Sequence, residues 1–461
     1  MTNKQRRAFI KKIAAGSGAA SMAIPALAEA RPEKFESLAR RSSFAPSDKI
    51  RLGAIGMGIM GYNNVNSALK IPGIELTAAC DLYDGRLTST KENYGQQVFT
   101  TRNYRELIDR DDVDAILVAT SDHWHDKIAI EALKKGKPVY CEKPMMQKIE
   151  EGKAMIDVEK SSGKVLQVGS QGVSSILNEK AAEIYESGAI GELVMAETYN
   201  DRFSAMGAWQ YSIPTDASEK TVDWKGFLGD APKRAYDPVR FFRWRNYQDY
   251  GTGVAGDLFV HLFSRLHVVL DSLGPNKIYA SGGLRYWEDG RDVPDTMLAV
   301  IDYPNTATHS AFNLQIRVNF VASGGGGGLL KLVGTEGTMT LGWNDIKIKK
   351  NRIAAAPGYG GWDSFATFSK AQQADYKKWY EEKYPKKFEV QEPSELIYRT
   401  PDGYSDHVDH WSNFFEAMQN GGSVVENATF GMRAAAPSLA TNISLFENKI
   451  VNWDPVKMEL T

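Results

Sequence analysis

The chain has 461 residues, 43% of them hydrophobic and 24% charged, with 55 basic side chains against 57 acidic ones. That length buries a large core and calls for two domains rather than one. Charges that nearly cancel, with no basic run beyond the N-terminus, leave no electrostatic footprint for nucleic acid and favour a neutral or weakly charged partner.

The chain opens on a basic stretch (Lys4, Arg6, Arg7, Lys11, Lys12), then an apolar run from Ile13 to Leu27 and the small residues of "PALAEA". This pattern predicts a signal peptide over residues 1–30, cleaved after Ala28 or Ala30. "RRAFIKK" is similar to the twin-arginine export motif, so a periplasmic or otherwise exported protein is expected. Residues 31–48 lack periodicity and read as a linker. No other apolar run reaches membrane-spanning length, so no stable membrane insertion is expected once the signal is removed.

From residue 49 to about 172, short apolar runs alternate with helical patterns. The runs "IRLGAI", "IELTAAC", "QVFT", "VDAILVAT", "PVYCE" and "VLQVGS" predict six strands of a doubly wound parallel sheet, an α/β Rossmann domain, with a helix over 126–135. Cys80 and Cys141 end two of these runs. The usual strand order separates them, so both read as buried thiols and not as a disulfide. Residues 173–461 carry longer alternating stretches, such as "DTMLAVIDYP" and "LLKLVGTEGTMTLGW", and a helix "GDLFVHLFSRLHVVLDSL". They predict an α+β domain with a large, mostly antiparallel open sheet. "ASGGGGGLL" reads as a flexible loop, and residues 345–405 as an irregular insertion rich in aromatics and lysine.

The stretch "LGAIGMGIMG" places Gly56, Gly58 and Gly61 between a strand and a helix, with Ile59 and Met60 inside the turn. In that context the first glycine allows the tight turn, the second lets backbone approach a pyrophosphate, and the third packs helix on strand. Asp81 ends the second strand 20 residues after Gly61, where a carboxylate accepts both ribose hydroxyls of NAD and repels the extra phosphate of NADP. NAD is therefore preferred over NADP, with Arg86 as the competing influence.

"GMGIMG", "ATSDHWH", "CEKP", "GELV" and "GDLFVH" together give the chain a resemblance, from about Lys49 to Pro455, to the Gfo/Idh/MocA oxidoreductases. The resemblance implies a catalytic set of Lys143, Asp257 and His261. It implies a cofactor pocket that adds Thr120, Trp124, His125, Glu142, Lys143 and Gln171 to the glycine turn, with His125 closing it near the nicotinamide. Substrate contacts are expected from Lys143, Arg202, Asp257 and His261, and assembly as a homodimer or homotetramer through the open sheet face. Two departures stand out. Ser264 occupies a position where many members carry aspartate, and Thr120–Ser121 replaces a common Thr-Pro.

The residue types suit the chemistry independently. Oxidising a sugar hydroxyl needs a base for its proton, and histidine titrates near neutrality. Asp257 and His261 lie four apart, on one helix face, where Asp257 can order the imidazole or hold a substrate hydroxyl. Lys143 stands at a strand's carboxyl end, where ligands bind in such sheets. His123 and His125 are two apart, but no ligand cluster completes a metal site, so none is expected; His267 reads as structural. "YNDRFSAMGAWQY" and "YDPVRFFRWRNY" mix aromatics with arginines, which suits stacking on sugar C–H surfaces and forked bonds to hydroxyls.

The leading expectation is thus a sugar or glycoside dehydrogenase that makes a keto-sugar with tightly bound NAD, because an exported protein finds little free nucleotide to replace a lost one. The alternative is an NAD-dependent glycosidase working by transient ring oxidation, elimination and re-reduction. The Gly-Asn-x-Tyr-Pro-Thr-His stretch of such enzymes is replaced here by "GTGVAGDLFVH". A non-catalytic sugar sensor is the third class, disfavoured by the intact Lys143, Asp257 and His261.

Overall fold

The computed structural model describes residues 34–39, 49–350, 356–384 and 395–461. The expected signal peptide lies outside the described residues. Within the expected linker, Lys34–Ser37 forms a strand, β1.

Six strands follow as expected: β2 (Ile50–Ile55), β3 (Ile74–Cys80), β4 (Phe99–Thr101), β5 (Ala115–Val118), β6 (Val139–Glu142) and β7 (Leu166–Gly169). They form one sheet in the order β4-β3-β2-β5-β6-β7, with every ladder parallel. β5, β6 and β7 are buried throughout, which is why their sequences read as unbroken apolar runs. The order reverses at β2 and β5, and ligands of such sheets bind at that reversal, outside the strands' carboxyl ends. Cys80 and Cys141 are buried free thiols with β2 and β5 between their strands.

The second sheet contains eleven strands: β1, then β8 (Leu193–Asp201), β9 (Lys277–Gly283), β10 (Thr296–Tyr303), β11 (Phe312–Asn319), β12 (Gly327–Gly334), β13 (Gly337–Leu341), β14 (Asp345–Lys350), β15 (Glu395–Arg399), β16 (Val451–Asp454) and β17 (Glu459–Leu460). The β8–β11 pair is parallel, while the β9–β10, β10–β11, β12–β13 and β13–β14 pairs are antiparallel. Residues alternate between buried and exposed along β10 and β11, the pattern of a sheet covered on one face. Leu298 and Val300 lie on the open face, about half exposed.

Three local expectations are corrected. Residues 345–405 are not irregular throughout: β14 and β15 pair with each other, and Lys370–Lys383 is a helix with Ser369 and Gln372 in a capping box. Gly327 and Gly328 of the glycine run belong to β12, paired with Asp201 and Asn200 of β8. The helix expected to start at Gly256 is regular only over Val260–Leu270; Ala255–Phe259 is a π turn. An apolar 3.6-residue pattern does not reveal such an inserted residue.

Candidate active site

The glycine turn is fixed by sterics. Gly56 has φ +93°, and a Cβ there would sit 2.4 Å from the Ala119 carbonyl oxygen. A Cβ on Gly61 would lie 1.9 Å from the Gly56 carbonyl oxygen, so Gly61 seats the Ile59–Ala68 helix against the turn. That helix starts beside Gly58 with its first N–H groups free of intrahelical partners, a favourable place for phosphate oxygens.

Asp81 closes the turn from the neighbouring strand. One carboxylate oxygen accepts the Met57 amide at 2.8 Å and the other accepts the Tyr83 amide at 3.0 Å. The Arg86 guanidinium is 3.4 Å from this carboxylate and lies against the Phe241 and Phe242 rings.

Beside the turn is a bed of polar groups. Glu142 accepts hydrogen bonds of 2.8 Å from both Asn64 and Gln171. The His125 ring is held between the carbonyls of Pro144, 2.7 Å away, and Thr120, 3.2 Å away. Lys143 donates to the Asp257 carboxylate at 2.9 Å and to its backbone carbonyl at 2.8 Å. Arg245 donates through Nε to the same carboxylate oxygen at 3.1 Å. Burial alone would raise the Asp257 pKa, but Lys143 and Arg245 outweigh it and hold the carboxyl well below its usual range.

His261 is half-buried. Burial, reinforced by the Lys143 cation, pushes its pKa down to about 3, so the imidazole is neutral at physiological pH. The carboxylate of Asp257 is bonded to Lys143 and Arg245, not to this ring, which corrects the expectation that it orders the imidazole. With the π turn, Asp257 instead faces the end of β6.

A cavity of about 290 Å³ gathers Gly56, Gly58, Ile59, Met60, Asp81, Thr120, Trp124, His125, Glu142 and Lys143 on one lining. Gly61 and Gln171 stand behind it, the first as packing and the second as a support for Glu142. Arg202, Asp257 and His261 are also off that lining, with Asp257 reached through Lys143 and Arg245.

The far wall comes largely from the two aromatic- and arginine-rich stretches expected to meet the sugar, and of its residues the sequence reading passed over Phe227. Tyr211, Phe227, Phe241, Phe242, Trp244 and Arg245 line it, and all belong to the stretch between β8 and the π turn. Most of that wall is one buried aromatic cluster with Tyr83, Trp224, Tyr247 and Tyr250. It is tied down where Asp223 N–H donates to the Leu82 carbonyl (2.8 Å) and Asp84 N–H to the Thr221 carbonyl (3.0 Å). His123 belongs to this closure and not to a metal pair, with ring nitrogens 2.9 Å from the Phe227 carbonyl and 3.2 Å from that of Tyr250.

Asp122 accepts the Thr252 hydroxyl at 2.6 Å, and burial raises its pKa to about 7. Ser264, the departure noted above, donates to Glu426 at 3.1 Å. Glu426 is fully buried, which raises its pKa to about 8. A carboxyl group is thus present beside Ser264, supplied by a distant part of the chain. His267 bonds the Tyr303 hydroxyl at 2.8 Å, a structural role.

Comparison with known proteins agrees with this geometry. Residues 50–170 match the model of the Gfo/Idh/MocA oxidoreductase family, described as an NAD-binding Rossmann fold. The chain carries the NAD-binding domain of the Gfo/Idh/MocA family. A glycosyl hydrolase family 109 protein of Shewanella baltica is 30% identical over 218 residues, covering 40% of this chain and 47% of the relative. An inositol 2-dehydrogenase of Salmonella typhimurium is 26% identical over 175 residues, covering 38% and 52%. The chain thus spans about half the length of the curated relatives it matches.

Among solved structures, levoglucosan dehydrogenase in complex with NADH and levoglucosan superposes with a TM-score of 0.63 at 18% identity. That match covers 88% of this chain and 99% of the other, so the shared fold extends well beyond the family-matched residues.

Proposed function

We propose that the protein is an exported oxidoreductase that moves a hydride between a ring hydroxyl of a sugar or glycoside and tightly bound NAD, giving a keto-sugar. The observation that carries this reading is the junction at the end of β6, where Asp257 holds Lys143 and Arg245, both of which line the same cavity as the glycine turn. The residues fit NAD. Gly56 and Gly58 leave room for the pyrophosphate, Asp81 offers a carboxylate to the ribose, and His125 and Glu142 border the far end. NAD, when bound, supplies the acceptor for the hydride.

The chain's own groups do the rest. The Lys143 ammonium, fixed by Asp257, donates toward the reacting oxygen and stabilises negative charge there. Neutral His261 takes the hydroxyl proton. The aromatic wall excludes water and slows exchange of the nucleotide, as suits a protein working away from the cytoplasmic pool. Assembly as a homodimer or homotetramer uses the open face bearing Leu298 and Val300.

The family 109 relative favours a second reading, a glycosidase in which oxidation is transient. Incubating the cofactor-loaded protein with a panel of glycosides and weighing the products separates the two. Net ketone and NADH support the dehydrogenase, and cleavage without net NADH supports the glycosidase. Extensively washed protein should release a stoichiometric dinucleotide on denaturation, and an empty preparation refutes tight binding. Replacing Arg6 and Arg7 by Lys should hold loaded precursor in the cytoplasm, and normal export of that variant rules out the twin-arginine route.

A further inference from the structure

The wall near Lys143 carries more positive charge than a neutral sugar can use. Asp257 is one carboxylate shared by two cations, Lys143 and Arg245. Arg202 adds a third positive charge acting on the same carboxylate. Its guanidinium donates to the Gly207 carbonyl at 3.1 Å, and among the described residues it has no carboxylate partner. His261 is neutral and adds no negative charge, and Asp122, raised to about 7 by burial, offsets only part of the excess.

The orientation of Arg245 is informative. Its Nε is spent on Asp257, and its plane lies 4.2 Å from the Trp244 ring centroid. Among the described residues, neither terminal nitrogen has a hydrogen-bond partner, yet Arg245 lines the cavity. A side chain held at Nε and stacked on one face presents its two terminal nitrogens as a ready fork, the geometry that pairs with a planar carboxylate. Arg245 is already paired with Asp257 through Nε, and a ligand that brings a second anion gives its free terminal N–H groups charge-assisted hydrogen bonds. The cofactor's pyrophosphate is not the natural owner of this fork, because its expected place is at Gly58, where a different cation, Arg86, already lies.

We propose that the substrate is an anionic sugar whose carboxylate, as in a hexuronic acid or its glycoside, is bound by the terminal nitrogens of Arg245, with Arg202 strengthening the positive field. The proposal rests on the oxidoreductase reading above and names the substrate class of that site. Carboxylate binding orients the ring so that one of its hydroxyls meets Lys143.

The test uses NAD-loaded protein and matched pairs: methyl glycosides of glucuronic and galacturonic acid, their neutral parent hexosides, and the 6-sulfated hexosides. Binding by calorimetry and kcat/KM for ketone formation are read on the same pairs. A uronate should exceed its neutral parent by about 10-fold or more in both quantities, the usual worth of a charge-assisted fork.

Arg245→Gln should abolish that ratio. Arg245→Lys keeps a cation against Asp257 and loses the fork, so it should lose most of the ratio while remaining folded, and Arg202→Gln should lower it less. Equal binding of the neutral parent, preference for the sulfated sugar, or an unchanged ratio in Arg245→Lys overturns the proposal. If the uronate binds preferentially but no ketone forms from any sugar, the oxidoreductase reading fails and the carboxylate site stands.

Discussion

One wall of the cofactor cavity is backbone and the opposite wall is side chains. At Gly56 and Gly61 the shape is set by atoms that cannot move, since any Cβ would collide with a main-chain carbonyl oxygen. Across from them, Phe227, Phe241, Phe242 and Trp244 make a surface from packed rings contributed by a separate stretch of chain. The first wall tolerates almost no substitution and recognises a group common to many dinucleotides. The second can be redrawn residue by residue while the fold persists.

The largest effect should come from the groups proposed to act on the reacting hydroxyl, Lys143 on the cavity lining and His261 off it. His261→Ala and Lys143→Met should each lower turnover by about 10²-fold or more, the worth of a positioned acid–base group, with dinucleotide still bound. Unchanged turnover in either variant would remove that residue from the catalytic set.

Next comes the backbone wall. Gly56→Ala places a side chain at φ +93° against the Ala119 carbonyl, strain of about 1–3 kcal/mol. It should lower the melting temperature and empty the site; a loaded, equally stable variant would show that the turn yields. Asp81→Ala should weaken NAD by about 10-fold and narrow its advantage over NADP, as read by titrating both cofactors. Tighter NADP binding by the wild type would mean that Arg86 dominates.

The side-chain wall should respond more gently. Phe242→Ala removes a ring 5.4 Å from the Arg86 guanidinium, a contact worth about 1 kcal/mol. It should speed dinucleotide release about fivefold without loss of the fold, as measured by exchange against labelled NAD.

The last effect falls on stability and leaves turnover aside: a pH slope. Glu426 titrates near 8 in the folded protein against an ordinary value of 4.5. The folded state therefore holds a proton that the unfolded state releases across this window. This group's stabilising contribution is complete below about 4.5 and is lost as pH rises through about 8. Glu426→Gln should flatten that part of the stability profile in thermal melts, and parallel profiles would contradict the buried protonated carboxyl.

The difference between the walls also explains what could be read in advance. Gly56, Gly58, Gly61 and Asp81 lie close together in the chain, and their roles follow from local geometry that any such turn shares. Lys143 and His125 were accessible through short motifs of the same kind. The stretch that holds Arg245 stood out for its aromatics and arginines, but Arg245 itself did not, because its importance comes from the Asp257 oxygen it shares with Lys143, which requires three separate elements to meet. Glu426 meets Ser264 across 162 residues of chain, a pairing no spacing rule anticipates. The π turn at Asp257 escaped for a different reason: one extra residue per turn leaves the apolar pattern almost intact while changing what the carboxylate faces.

Cys80 and Cys141 have a consequence beyond packing. Burial raises both thiols well above their ordinary titration range, so little thiolate is available for exchange, and strands β2 and β5 between them prevent a bridge. The fold is therefore indifferent to the oxidation state of its surroundings. It can be completed in a reducing compartment and retained in an oxidising one, with no covalent bond to form, break or repair along the way.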